Sequence, residues 1–365
     1  MKNVTMISRR SFLKAAMAAS AVSALAFTGC GGSASSTVAA SSTASSAAAS
    51  AAAEGGQTFK VGIVNYVDHA SLNQIVESVE SRLDELGAEK GVTFDYADYY
   101  ANAQADQSNL NQIGADLVGD GVDVIVAVAT PTAATMLAAV EDTDIPVVYS
   151  AVTDPAAAGF DGEENITGTS DALNTEAIMN LITAVNPDID TIGLLYDLSQ
   201  DASTQAIADA KAFCDANGIK YIEKNGTTTA EVQMAAEALI ASGVKAVFTP
   251  TDNTIMTAEL SIYEAFNEAG VQHYTGADSF ALNGAFVGYG VDYVQLGEAT
   301  ADMVAELLCD GKTTADLPYQ TFDNGIVTIN TETCAALGLD LATVKEAFKP
   351  YATEIVKVTT AEDFS

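Results

Sequence analysis

Residues 121–155 constrain this chain most: GVDVIVAVATPTAATMLAAVEDTDIPVVYSAVTDP. Two apolar runs, 122–129 and 146–152, are rich in β-branched residues and lack polar alternation. Strands read this way when a parallel sheet is covered on both faces. Each run ends in a polar triplet carrying a proline, Thr130-Pro131-Thr132 and Thr153-Asp154-Pro155. Thr and Asp are good N-caps, and Pro suits the first helical position. Each strand therefore delivers the chain to a helix N-terminus at the carboxyl edge of a sheet. Open α/β sheets bind ligands at that edge, where unpaired N–H groups meet anions.

The same alternation runs through the chain from Phe59. Residues 60–66 read as a strand. Ser71-Leu72-Asn73-Gln74 matches a capping box, and Leu72, Ile75, Val79, Leu83 and Leu86 follow at helical spacing up to Gly87. Residues 92–99 alternate like a second strand. Leu110, Ile113, Leu117 and Val118 mark a second helix, and 165–170 reads as a crossover. The cycle then restarts. Strands are expected at 191–196, 219–223, 244–250, 271–275 and 285–291, with helices at 202–217, 231–241, 255–269 and 293–310. A strand at 326–330 and a helix near 341–348 end the pattern. Such alternation gives parallel sheets with right-handed crossovers, and two sets give an α/β protein of two Rossmann-like lobes. The halves echo each other. Val122 precedes Thr130 by the same eight positions that separate Val244 from Asp252. Equivalent strand ends carry a hydroxyl in one lobe and a carboxylate in the other, a pairing that suits a zwitterion.

The chain begins with an address. Ser8-Arg9-Arg10-Ser11-Phe12-Leu13-Lys14, followed by an alanine-rich apolar stretch, resembles a twin-arginine export signal. Gly29-Cys30 then resembles a bacterial lipobox, with Phe27 where Leu is usual, and makes Cys30 the expected lipidated N-terminus. Residues 31–56 are almost wholly Gly, Ser, Ala and Thr, a composition that buries no core and reads as a spacer. Removing residues 1–29 takes the net charge from −34 to −38. That acidity argues against nucleic acid and against anionic lipid headgroups as partners. Cys214, Cys309 and Cys334 match no metal spacing. Cys214 and Cys309 read as buried thiols on helices, and a Cys309–Cys334 disulfide stays open. No phosphate loop, nucleophile elbow or placed Cys–His pair points to catalysis, and no cofactor or metal is expected.

The blocks Val61-Gly62-Ile63-Val64, Tyr66-Val67-Asp68-His69, Ala129-Thr130-Pro131, Ala151-Val152-Thr153-Asp154-Pro155, Pro250-Thr251-Asp252-Asn253-Thr254 and Gly288-Tyr289 resemble one bacterial family. These are the ABC-transporter substrate-binding lipoproteins linked to tryptophan and tyrosine uptake, which have the type I periplasmic-binding-protein fold. The resemblance runs from about Phe59 to about Leu339. It implies a clamshell of two lobes joined by three crossovers, closing on a small ligand, with aromatic amino acids the expected ligands. A branched-chain amino acid, a sugar, a nucleoside, or service as a ligand-sensing receptor component are the alternatives. It further implies an exported monomer, lipid-anchored outside the cell membrane and delivering to an ABC permease. The expected boundaries are lobe 1 at 58–167 plus 284–312, lobe 2 at 168–283 plus 313–349, and a tail at 350–365, with hinges near Gly168, Asn283 and Gly311.

The candidate ligand residues follow from the strand ends. Thr130, Pro131 and Thr132 would take a carboxylate, although any helix N-cap looks alike. Thr153 and Asp154 occupy the next turn, where Asp154 has a plain capping role as its rival. Asp252 and Asn253, or Asp278, would take an ammonium group, and loss of the Asp252 side chain should leave the empty fold unaffected. Tyr66 and Asp68 follow the first strand, with Tyr66 free to stack on a ring. His69 reads as a loop hydrogen-bonder. Ser199 and Ser203 are ligand or capping residues after Asp197, and Tyr289 is a site or core residue.

Overall fold

The computed structural model describes residues 56–322 and 325–361. The export signal, Cys30 and the spacer lie outside the described residues. Lobe 1 begins with β1 (Thr58–Asn65), α1 (Ala70–Lys90), β2 (Thr93–Asp95), β3 (Tyr100–Asn102) and α2 (Gln107–Asp120). It continues through β4 (Val124–Val128), α3 (Thr130–Ala139), β5 (Val147–Ser150) and β6 (Ile166–Ser170). The chain crosses to lobe 2 with α4 (Thr175–Val185), β7 (Thr191–Tyr196), α5 (Asp201–Asn217), β8 (Lys220–Asn225) and α6 (Thr229–Ala241). There follow β9 (Ala246–Thr249), α7 (Asn253–Ala258), α8 (Tyr263–Ala269), β10 (Gln272–Thr275), α9 (Asp278–Leu282) and β11 (Val287–Gly290). It returns with α10 (Tyr293–Cys309) and β12 (Gln320–Thr321). It ends in lobe 2 with β13 (Ile326–Asn330), α11 (Thr331–Ala336), α12 (Leu341–Phe348) and β14 (Glu354–Val358).

Two seven-stranded sheets result. The first has the order β12-β6-β5-β4-β1-β2, with β3 also on β1, and the second β14-β13-β11-β10-β9-β7-β8. Their pairings are parallel except for β13 against β11. Strands β4, β5, β9, β10 and β11 are buried throughout, as the continuous apolar character of β4 and β5 requires of those two. On α1, Leu72, Ile75, Val79, Leu83 and Leu86 form the buried stripe, and Gly91 ends the helix in the left-handed conformation at φ 69°. Helix α10 lies across α1 so closely that a side chain at Gly297 would meet the carbonyl of Ile75 at 2.7 Å. No helix among the described residues is long and apolar enough to cross a membrane.

Several expected boundaries shift. Val287–Gly290 pairs with β10 and β13, so 284–290 belongs to lobe 2; lobe 1 resumes with α10. Gln320–Thr321 pairs with β6 in lobe 1, within a segment expected in lobe 2. Glu354–Val358 pairs with β13 and is a strand of lobe 2, where a tail was expected. The crossovers therefore follow Ser170, Gly290 and Thr321. The expected 92–99 strand shrinks to β2, and β3 lies just beyond it. The expected 255–269 helix is broken by a 3-10 turn at Glu259–Ser261. Helix α4 was not anticipated. Cys214, Cys309 and Cys334 are free thiols.

Candidate ligand-binding site

The carboxyl edges of the two sheets face each other across a narrow cavity that both lobes line. Lobe 1 contributes Leu72, Ala129, Thr130, Ala151 and Thr153, lobe 2 contributes Thr251, Asp252, Asn253, Met256, Ala277, Ser279 and Phe280, and Asp171 and Tyr293 come from the crossovers. Leu72, Met256 and Phe280 make an apolar wall. No Lys or Arg lines the cavity among the described residues.

Thr130 opens α3, whose first turn also holds Pro131 and Thr132. Both hydroxyls are buried, and neither Oγ1 has a hydrogen-bond partner among the described residues. Pro131 and the preceding strand leave the first N–H groups of α3 facing the same edge, with no side-chain cap. An unpaired buried hydroxyl is costly, so a ligand oxygen is its natural complement. Ser279 Oγ, on the opposite wall, is buried and unpaired as well.

The carboxylates are held differently. Asp252 is 1 % exposed and caps α7. It accepts the Ile255 N–H at 3.0 Å on Oδ1, and the Asp197 N–H and Ser203 hydroxyl at 2.7 Å each on Oδ2. Burial pushes its pKa up to about 6 against these three donors. Its expected freedom to serve a ligand without supporting the fold is therefore corrected: it ties three segments of lobe 2 together. Asp171 is also buried and also raised to about 6, chiefly by burial. It accepts the Thr153 hydroxyl at 2.9 Å and a hydrogen bond from Tyr293. Asp278 accepts the Ser71 hydroxyl at 2.9 Å, and burial raises its pKa too.

The remaining expected residues fall into two groups. Asn253 and Thr153 line the cavity. Asp68 is exposed and accepts from Asn102 at 2.7 Å, away from the lining. Asp154 accepts the Ala157 N–H at 2.9 Å, but residues 155–159 form a turn, so the helix expected after β5, with Asp154 as its cap, is absent. Ser199 donates to Asp197 at 2.7 Å. Tyr66 is half-buried beside Gln200, which lowers a hydroxyl pKa that burial raises further. Tyr289 is core, 1 % exposed. Sequence reasoning missed Ser71, Asp171, Thr251, Ser279, Phe280 and Tyr293. Asp171 had a signal, a lone acid directly after a buried strand.

Among the described residues, hydrogen bonds join the lobes at Ser71, Thr153, His69 and Tyr66, the last with Gln200. Ser71 reaches Asp278. Thr251 reaches Thr153 at 3.0 Å, and since Thr153 donates to Asp171, Thr251 is the donor of this pair. His69 caps α1, accepting the Leu72 N–H on Nδ1. The ring proton is then on Nε2 and is donated to Asn253 Oδ1 at 3.1 Å. Burial lowers the His69 pKa to about 4, keeping it neutral despite the Asn253 contact. The clamshell is thus closed.

Fold, cleft and strand-end polar groups define a two-lobed ligand-binding protein of the type I periplasmic-binding-protein class. Residues 60–356 match the family of ABC transporter substrate binding proteins, and the chain belongs to that family. It is 29 % identical to a tyrosine-binding protein of Clostridioides difficile, over 76 % of this chain and 81 % of that one. A solved ABC domain from Streptococcus pneumoniae in complex with L-Trp is 28 % identical, with a TM-score of 0.73 over 82 % of this chain and all of that one. A ligand-free, open substrate-binding protein with adhesive properties from Clostridium difficile is also 28 % identical. Its TM-score is 0.61, over 83 % of this chain and all of that one. At equal identity, the tryptophan-bound relative superposes better, in keeping with the closed lobes here.

Proposed function

We propose that this protein is the extracytoplasmic receptor of an ABC importer, closing on an aromatic amino acid and presenting it to the permease. One observation carries the ligand reading: the buried, unpaired Thr130 hydroxyl at the start of α3 complements a carboxylate, in a cavity whose only charged side chains among the described residues are acids. The ammonium group lies against Asp171, because Asp252 is already engaged by three donors of its own lobe and Asp278, held by Ser71, does not line the cavity. Leu72, Met256 and Phe280 receive the side chain. The names of the tyrosine-binding and tryptophan-bound relatives support the aromatic class. The protein does no chemistry on its ligand; ligand contacts to both lobes shift the population towards the closed form that the permease recognises.

The twin-arginine sequence and Gly29-Cys30 support export and lipid anchoring on the outer face of the membrane. Cys30→Ser should release the exported protein from the membrane fraction, and unchanged membrane association would refute the anchor. Calorimetry against L-tyrosine, L-tryptophan, L-leucine and glucose tests the ligand. Tight binding of either aromatic amino acid is expected, and selective binding of glucose would overturn the zwitterion reading.

A further inference from the structure

Ala129 and Ala151 stand side by side where β4 and β5 end. Val128 pairs with Ser150 in register, and the Ala129 N–H donates to the Ser150 carbonyl at 2.9 Å. Both alanines have left-handed backbones, with φ of 78° and 57°. Ala129 also has ψ at 154°, a combination that belongs to glycine. Both are buried and both line the cavity. The facing residue of lobe 2, Ala277, also lines the cavity but is relaxed, with φ −149° and ψ 157°. Glycine at 129 and 151 would remove the strain at no steric cost. The chain instead carries a methyl group at each, next to the unpaired Thr130 hydroxyl.

We infer that these two methyl groups determine ligand fit: they form an apolar shelf beside Thr130 against which the non-polar body of an amino acid is pressed, fixing how its carboxylate meets α3. This rests on the amino-acid reading above. Strain held at a cavity wall is what a positioning contact requires, because the left-handed backbone directs the residue where an ordinary strand end would not. A smaller residue there relaxes the chain and loses the contact; a larger one fills the cavity.

The test uses the full chain and its Ala129→Gly, Ala151→Gly and double variants, with L-tyrosine and L-tryptophan as probes. Each single variant should bind the probe roughly fourfold more weakly, the worth of one buried methyl-sized group, and the double variant roughly fifteenfold. The thermal midpoint of the empty protein should not fall, because strain is released. Ala127→Gly is the control. Ala127 is fully buried in the middle of β4, so its loss should lower the midpoint and leave affinity unchanged. Wild-type affinity in the glycine variants would overturn the inference alone. So would a midpoint that falls as in Ala127→Gly, since the methyl groups would then be core. A wild type that binds neither probe would overturn the amino-acid reading and this inference with it.

Discussion

At matching strand ends, lobe 1 presents Thr130, a buried hydroxyl with no partner, while lobe 2 presents Asp252, a carboxylate with three. The backbones differ in the same sense. Lobe 1 meets the cavity through two left-handed alanines, and lobe 2 through ordinary extended residues. Helix α3 begins with no side-chain cap, and α7 with a full one. Among the polar side chains that line the cavity, lobe 1 thus leaves Thr130 unpaired while its Ser71, His69 and Thr153 are bonded, and lobe 2 leaves Ser279 unpaired while its carboxylate is fully satisfied. Two edges built to one plan can therefore divide the work, one poised for the ligand and the other a rigid wall to close against.

The strongest way to break that contrast is Asp252→Ala. It removes the α7 cap and orphans the Asp197 N–H and the Ser203 hydroxyl, at a cost of about 3 kcal/mol. The thermal midpoint of the empty protein should fall by roughly 6–12 °C. An unchanged midpoint in calorimetric unfolding would show that Asp252 is as free as Thr130. The reverse holds for Thr130→Val, which removes an unpaired hydroxyl. Stability should hold or rise, while amino-acid affinity falls by about 1.5–3 kcal/mol, the loss of a hydrogen bond to a charged group. Titration calorimetry showing wild-type affinity would reject the carboxylate site.

The sequence made the sheets legible because parallel strands buried on both faces are continuous apolar runs, and their helices announce themselves through caps. It did not reveal that Val287–Gly290 and Glu354–Val358 both flank β13, because such pairing depends on contacts distant in sequence. At the cleft, the lining position of Thr130 was legible from the strand end, whereas Thr132 and Pro131 do not line the cavity. Asp154, Ser199 and Asp252 were misjudged in degree, since capping and ligand binding use the same residue types. Asp171, Ser71 and Tyr293 meet only through the crossovers, and the positive φ of Ala129 leaves no mark on an alanine.

Acidity sharpens the comparison next. Asp171 and Asp252 have native pKa values of about 6, above the ordinary 3.8, so the stability they confer is full below about pH 4 and lost as pH rises through 6. His69 works in the opposite sense. Lowered from 6.5 to about 4, it confers stability above pH 6.5 that is lost as pH falls through 4. Taking the closed protein from pH 7 to pH 5 should cost about 2 kcal/mol through His69 alone. His69→Gln should consequently gain more in thermal midpoint on that acidification than the wild type does. Parallel pH profiles for the two proteins would mean that His69 is not held neutral by closure.

The smallest effect tests whether the lobes close on their own. Thr251→Val deletes the hydroxyl that reaches Thr153 across the cleft at 3.0 Å, yet leaves the Thr153–Asp171 bond within reach of the ligand. A neutral hydrogen bond of this kind is worth about 1 kcal/mol, or roughly a fivefold shift in the open–closed ratio. The variant should be no less stable as a fold, because neither lobe uses this contact internally. Without ligand, its small-angle scattering should give a larger radius of gyration than the wild type. With saturating amino acid the two profiles should coincide, since ligand contacts to both lobes restore closure. Identical profiles for the two empty proteins would show that the Ser71–Asp278, His69–Asn253 and Tyr66–Gln200 contacts suffice to hold closure.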